Sequence, residues 1–425
     1  MTWFHGNSDC AQKGSSGKNV IRKAGMLLGI ATGATLMLST AASAQCTDNF
    51  SVIFNAGGQN FPASVAFPLG SGTSIDSFVS SMNTINTGFL TNTSAFVNTS
   101  SKGGVWGRVV AGETEFKSKS TATLKAPLVV GAITGQQKCK TKGKQTFAGV
   151  QAGADIAHIY GGGTSSSLHF GLTAGYLQAR TKDKTPAGSF TNLGTTLNTP
   201  AGDFKSTSRV PFVGAYGVYS TGKGFYADIL GRLDFYQNAL NSGVNGLDSN
   251  HKARGMSLTM NTGYYMPLGK RGWFIEPGAG LVVSRVALDD INVTGATTGA
   301  LAGVNVGTVN IDQIDSLLGR LSLTIGTSFK VGDIGFQPFV TGSVFREFAG
   351  DVKAVSTIGA GTNCTNCAGA TLSMSIDRVD TYGQVAVGTA AVFGDSGWLG
   401  YARADYKKGD KIEGYSGNIG LRFAF

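Results

Sequence analysis

Most of this chain alternates apolar residues with polar or small ones, at a period of two, in segments of ten residues or more. The stretch from Phe225 to Gln237 shows it best. Phe225, Ala227, Ile229, Leu233 and Phe235 fall on one face, and Tyr226, Asp228, Arg232, Asp234 and Tyr236 on the other. That period belongs to a strand. An ordinary strand runs about 5–6 residues, whereas a tilted strand that crosses a bilayer needs ~9–11. Soluble sandwiches also alternate, but rarely over a dozen residues.

Twelve such segments run approximately 105–117, 143–159, 166–181, 204–219, 224–238, 251–266, 272–286, 316–330, 335–350, 377–393, 398–407 and 414–425. The breaks at 160–165, 220–223, 267–271, 331–334 and 394–397 are short. Those at 118–142, 182–203, 239–250, 287–315 and 351–376 are long, and only the last on that side, 408–413, is short. Short turns on one side and long loops on the other fit an outer-membrane barrel. Composition agrees. Charged residues make up 14%, against about 25% in ordinary soluble domains. Past residue 44 no apolar run reaches the ~18 residues of a membrane helix. The expected fold is all-β: a twelve-stranded antiparallel transmembrane β-barrel with an N-terminal helical plug or linker. Closure follows, because an open sheet would leave two unpaired edges in lipid.

Residues 1–44 read as a secretory signal. Lys13, Lys18, Arg22 and Lys23 are basic, residues 26–38 are uncharged and largely apolar, and Ala42-Ser43-Ala44 is a small-x-small site. Cleavage is expected between Ala44 and Gln45. The basic region is unusually long, which leaves the position of the start codon open. Cys46, Cys139, Cys364 and Cys367 would then pass through an oxidising compartment. Cys364 and Cys367 are a candidate local disulfide, one of three ways to pair four cysteines. A zinc site would need further ligands, and no second CxxC or His pair stands near. No metal or cofactor is expected.

The segments also resemble a family. Gly104-Val105-Trp106-Gly107-Arg108 opens the barrel region as autotransporter translocator domains do. Gln151-Ala152-Gly153-Ala154-Asp155 resembles their second strand, residues 170–176 (FGLTAGY) the third, and Trp273-Phe274-Ile275-Glu276-Pro277 the strand with their Glu-Pro pair. Residues 399–425 resemble their final hairpin, with Tyr415, Leu421, Phe423 and Phe425 as the closing-strand signature. The resemblance covers about residues 98–425. It implies a type V secretion barrel in a Gram-negative outer membrane, assembled by the barrel-assembly machinery through the C-terminal strand. It further implies that an upstream passenger is exported. Family members usually carry several hundred repetitive passenger residues, whereas only about 45–73 precede the next element here.

That element covers 74–97. Ile75, Phe78, Met82, Ile85, Phe89 and Phe96 step by three, four, three, four and seven, which is helical spacing. Ser74 is the expected cap, with Asp76 in the first turn. At 1.5 Å per residue such a helix spans about 36 Å, enough to thread a ~30 Å hydrocarbon layer. The expectation is a lumen plug entered from outside, the alternative a periplasmic amphipathic segment. Arg108, Asp228, Arg232, Glu276, Arg320 and Arg403 are candidate helix contacts among inward positions, with Glu276 singled out by the resemblance. The alternative is that these charges satisfy one another. The layout is signal 1–44, N-terminal segment 45–73, linker helix 74–97 and barrel 98–425.

Catalysis finds little support. His158 and His169 flank the first short turn and His251 lies at the far end of the sixth strand, so no triad assembles. Nothing resembles a phosphate loop or zinc helix. The expectation is no enzyme. The lysines of the first long break point to lipopolysaccharide phosphates or plain solvation, and no fold motif accompanies them for nucleic acid. The expected function is an integral outer-membrane translocator that exports or displays its N-terminal segment, with that segment and the long loops extracellular. The alternatives are an adhesin-like protein whose long loops bind a host or environmental surface, and a small pore.

Overall fold

The computed structural model describes residues 49–56, 59–66, 71–90, 103–128, 131–160, 166–184, 188–192, 195–199, 205–242, 247–269, 271–293, 307–311, 313–358 and 371–425. Ala44, Gln45, Cys46, Cys364, Cys367 and the expected helical residues 91–97 lie outside these.

Twelve long strands form a closed antiparallel barrel. They are β1 (Gly104–Leu128), β2 (Gly131–Tyr160), β3 (Ser167–Asp183), β4 (Lys205–Ser220), β5 (Phe225–Ser242) and β6 (Leu247–Tyr264). Then follow β7 (Trp273–Leu288), β8 (Ile314–Thr327), β9 (Ile334–Glu347), β10 (Thr381–Phe393), β11 (Trp398–Gly409) and β12 (Ile412–Ala424). Each pairs with its chain neighbours. β12 pairs with β1, from Ile412 opposite Phe116 to Ala424 opposite Gly104, so the wall has no edge.

The outer face is apolar. Val109, Leu172, Ile229, Leu233, Leu321, Ile325, Val385 and Ile419 all point outward and are exposed. A soluble monomer rarely shows a contiguous apolar patch beyond a few hundred Å², so this belt is a lipid-facing surface. Trp273, Phe329, Trp398 and Phe425 border it at the short-turn end, and Tyr176, Tyr406 and Tyr415 toward the long-loop end. Outward ion pairs begin beyond it, with Lys144 to Glu113 at 2.7 Å and Lys142 to Glu115 at 3.2 Å.

The first long break, expected as a loop over 118–142, is strand over 118–128 and 131–142. β1 and β2 stay paired past it, with Lys117 opposite Lys142, Ser120 opposite Cys139 and Leu128 opposite Gly131. Lys, Ser and Thr still alternate there, but both faces are polar once the strands leave the belt, so apolar periodicity is blind to them. Segments of the other long breaks pair similarly. Thr371–Ile376 binds β1 from Lys125 to Ser120, and Val352–Ile358 binds Thr371–Ile376 in turn.

Inside, glycine has a structural use. Near the short-turn end, six inward aromatic rings stand directly opposite inward glycines: Trp106 and Gly153, Tyr216 and Gly171, Tyr226 and Gly263, Phe274 and Gly326, Phe339 and Gly388, Tyr401 and Gly420. A Cβ at Gly326 would lie 2.5 Å from the Phe274 ring, and one at Gly420 2.3 Å from Tyr401. These pairs occupy the seams β1–β2, β3–β4, β5–β6, β7–β8, β9–β10 and β11–β12. The short turns join the alternate seams. Ring and glycine therefore pin, near the short-turn end, the strand pairs that no turn ties there. Backbone bonds add to this, as from Ser328 N to Gly272 O at 2.8 Å. Gly272 has φ +75°, and a side chain there would meet Ser328 O at 2.2 Å.

Candidate functional site

The lumen holds one helix, α1 (Ser71–Gly88). Its bonding partners come from β1, β2, β4, β5, β7, β8 and β12. The spacing expected from sequence is present, but the bounds differ. Ser74 lies within the helix rather than capping it. The helix stops at Gly88, with Leu90 N closing back on Thr87 O at 3.2 Å. At 1.5 Å per residue it is about 27 Å long rather than 36 Å. Glycine disfavours continuation, and the carbonyls of the last turn are taken by the wall.

The two faces of the helix use different wall chemistry. Ile75, Phe78, Met82, Ile85 and Phe89 are buried in one cluster with Leu177, Val210, Phe212, Tyr236 and Val286. The hydroxyl face bonds wall hydroxyls and amides. Ser77 Oγ donates to Ser206 Oγ at 3.2 Å, Ser81 Oγ to Ser208 Oγ at 3.0 Å, Thr84 Oγ1 to Gln145 Oε1 at 2.6 Å and Asn86 Nδ2 to Ser284 Oγ at 2.8 Å. Nearer the helix start, Asp76 Oδ2 accepts from Ser118 Oγ and Thr141 Oγ1, each at 2.6 Å.

The C-terminal end is the most specific part. A helix leaves its last carbonyls unpaired, and its dipole makes that end negative. Arg232 Nη1 donates to Ile85 O at 3.3 Å, Asn418 Nδ2 to Gly88 O at 3.4 Å, Arg108 Nη2 to Phe89 O at 2.6 Å and Arg320 Nη1 to Leu90 O at 3.0 Å. The last turn has no basic residue of its own, so the barrel supplies the cations. Arg232 is also held by Asp234 at 2.6 Å, both side chains 2% exposed. The Arg108 guanidinium lies 5.4 Å from the Phe89 ring and 5.6 Å from Trp106.

These contacts fix the direction. Asp76 is level with Ser118 and Thr141, toward the long loops. Phe89 is level with Arg108, nearer the short-turn end. Beyond the helix toward that end the lumen is lined by Trp106, Gln151, Asp155, Tyr216, Asp228, Asn261 and Arg422. Tyr216 Oη donates to Asp155 Oδ1 at 2.7 Å, and Arg422 Nη2 to Asp155 Oδ2 at 2.6 Å.

Of the candidate contacts, the structure brings Arg108, Arg232 and Arg320 onto helix carbonyls. Asp228 accepts from Asn261 at 2.9 Å, Glu276 from Tyr226 Oη at 2.5 Å, and Arg403 pairs with Asp405 at 2.7 Å, all within the wall. Sequence reasoning missed Asn418, Gln145, Ser206 and Ser208. Ser77, Ser81 and Thr84 at helical spacing, beside inward hydroxyls on a strand, were the available signal. His158 stands opposite His169, and His251 on β6 stands opposite Asn238 on β5. Among the described residues, no three His, Cys, Asp or Glu gather as metal ligands.

A lipid-facing closed barrel holding its own upstream helix defines a plugged transmembrane β-barrel of the translocator class. The chain belongs to the autotransporter family: the family described as "Autotransporter beta-domain" matches residues 131–405. It is 30% identical over 274 residues to the pertactin autotransporter of Bordetella parapertussis, covering 63% of this chain and 25% of that protein. It is 27% identical over 227 residues to the probable autotransporter YcgV of Escherichia coli K12, covering 52% and 21%. The chain thus spans about a quarter or less of the length of these relatives. Among solved structures, the transport unit of AIDA-I from Escherichia coli matches with TM-score 0.57 and 14% identity, over 82% of this chain and 98% of that one. The translocator domain of NalP from Neisseria meningitidis matches with TM-score 0.51 and 16% identity, over 84% and 100%. At these identities the likeness is one of fold. The protein is an integral outer-membrane β-domain of the type V secretion class.

Proposed function

We propose that the barrel exports its N-terminal segment through the lumen, displays it on the cell surface, and then rests with α1 as a plug. The carrying observation is the direction of α1, which starts among the long loops and ends on the carbonyl-binding collar of Arg108, Arg232, Arg320 and Asn418. In this reading the long loops are extracellular and the short turns periplasmic. The start of α1 then faces outside and its C-terminal end the periplasm. The reading gives the chain no enzymatic role. Its partners are outer-membrane lipid and, during assembly, the barrel-assembly machinery acting on β12. An epitope inserted near Gly58 tests it. Antibody labelling on intact cells is expected, and labelling only after permeabilisation overturns the topology.

A second reading is favoured by the extension of β1 and β2 beyond the belt and the added pairing of Thr371–Ile376. This raised sheet gives the long-loop end a surface fit for adhesin-like binding of a host or environmental ligand. Binding that survives deletion of residues 45–97 would assign it to the loops.

A further inference from the structure

Beyond the apolar belt, the outer wall carries a row of directly opposed cations. On β2, β3 and β4, the outward residues Lys144, Lys182 and Lys205 stand opposite one another in one row. Arg180 and Arg209 are exposed on the same face, one and two outward positions nearer the belt. Directly opposite side chains lie about 4.5–5.5 Å apart at Cβ, and like charges there repel. Lys144 is paired with Glu113 at 2.7 Å. Among the described residues, no carboxylate pairs with Lys182, Lys205, Arg180 or Arg209. On the other wall Arg285 pairs with Asp315 at 2.6 Å and Lys408 with Glu413 at 3.6 Å, while Lys252, Arg254 and Arg346 are exposed with no cation directly opposite them.

A row of unneutralised cations is stabilised by an anion that can bridge them. Its depth identifies the anion, because the row begins just past Tyr176, where the belt gives way to headgroups. Below and beside it the wall recedes. Ala111, Ala148, Ala402, Ala404 and Gly417 floor a depression of about 1020 Å³ beside Tyr176. Several phosphates over a broad apolar anchor match this surface.

We propose that the outer wall of β2–β4 binds a phosphorylated glycolipid of the outer leaflet. Its phosphates lie on Arg180, Lys182, Lys205 and Arg209, and an acyl chain lies in the neighbouring depression. This rests on the reading that the long-loop end faces outward. The full chain, folded in detergent micelles, is titrated with bisphosphorylated lipid A and with the same lipid stripped of phosphate, and bound lipid is counted by native mass spectrometry. Wild type is expected to prefer the phosphorylated lipid at least about tenfold, and less so at high salt. The variant R180Q/K182Q/K205Q/R209Q is expected to lose that preference, with its heat-modifiable migration intact. The variant R346Q/K353Q/K408Q, on the other wall, is expected to keep it. Equal binding of the two lipids by wild type, a salt-independent preference, an unchanged preference in the first variant or a loss in the second overturns the site. Displacement by millimolar inorganic phosphate also overturns it, since a free anion would then be the ligand. The wild-type arms stand even if the first variant does not fold. An exposed Gly58 epitope without lipid discrimination sinks this site alone, and a hidden epitope with discrimination overturns the orientation and with it the placement in the outer leaflet.

Discussion

Arg108 does three things at one height in the lumen: it binds Phe89 O, bonds Gln151 Oε1 at 2.8 Å through Nε, and lies against two rings. A hydrogen bond from a charged donor contributes about 1.5–3 kcal/mol, and an orphaned buried carbonyl costs on the same scale. Arg108→Ala with Arg320→Ala is therefore expected to weaken seating of the helix by about 4 kcal/mol and to turn rare channel openings into frequent ones. Planar-bilayer recordings check this, and unchanged open probability would mean that the collar does not hold the plug. Asp76 lies at the other end, beyond the apolar belt and outside the membrane-crossing stretches. Burial, opposed by the Ser118 and Thr141 hydroxyls, raises its carboxyl from 3.8 to about 6. The seated helix thus holds the proton more tightly than a released one. Seating is strongest below about pH 4 and weakens as pH rises through 6, by about 3 kcal/mol at neutrality. Openings in wild type are expected to increase from pH 4 to 7.5, and Asp76→Asn to flatten the dependence.

The helix is an element its own sequence does not secure. Ser, Thr and Asn crowd α1, all weaker helix formers than Ala, and isolated helices of this length are marginal in water. A peptide of residues 71–90 is expected to give a mostly disordered circular dichroism spectrum, and strong helicity in buffer would mean that the wall is not what folds it. Its existence was legible from Ile75, Phe78, Met82, Ile85 and Phe89, because burial against one side imposes a period. Its end was not, because the residues that stop it sit on β1, β5, β8 and β12. The same limit applies to the wall. Alternation gave twelve strands and the inward parity of Arg108, Arg232 and Arg320. It could not give height along the lumen, so Glu276, Asp228 and Arg403 shared their parity while meeting only wall partners in the bonds described. The strand continuation past Lys117 was hidden for a related reason: without lipid on one face, no apolar period marks it.

At the scale of the molecule, the wall and the plug are separable in principle. Every strand finds both neighbours, and the seam from β12 to β1 runs from Ile412 to Ala424 without the helix. The rings over glycine lock the seams that the turns leave open at the short-turn end, again with wall atoms alone. The helix instead fills space that the wall lines with polar groups, including Gln145, Ser206, Ser208, Arg232 and Asn418, all buried. Without it those groups take water, which a polar lumen tolerates. Deleting residues 45–97 behind an intact signal is therefore expected to leave a barrel that inserts and keeps heat-modifiable migration. Its single-channel conductance is expected to rise severalfold over the full chain. A deletion product that aggregates would make α1 part of the folding core. One that inserts with unchanged conductance would mean the long loops, not the helix, close the pore.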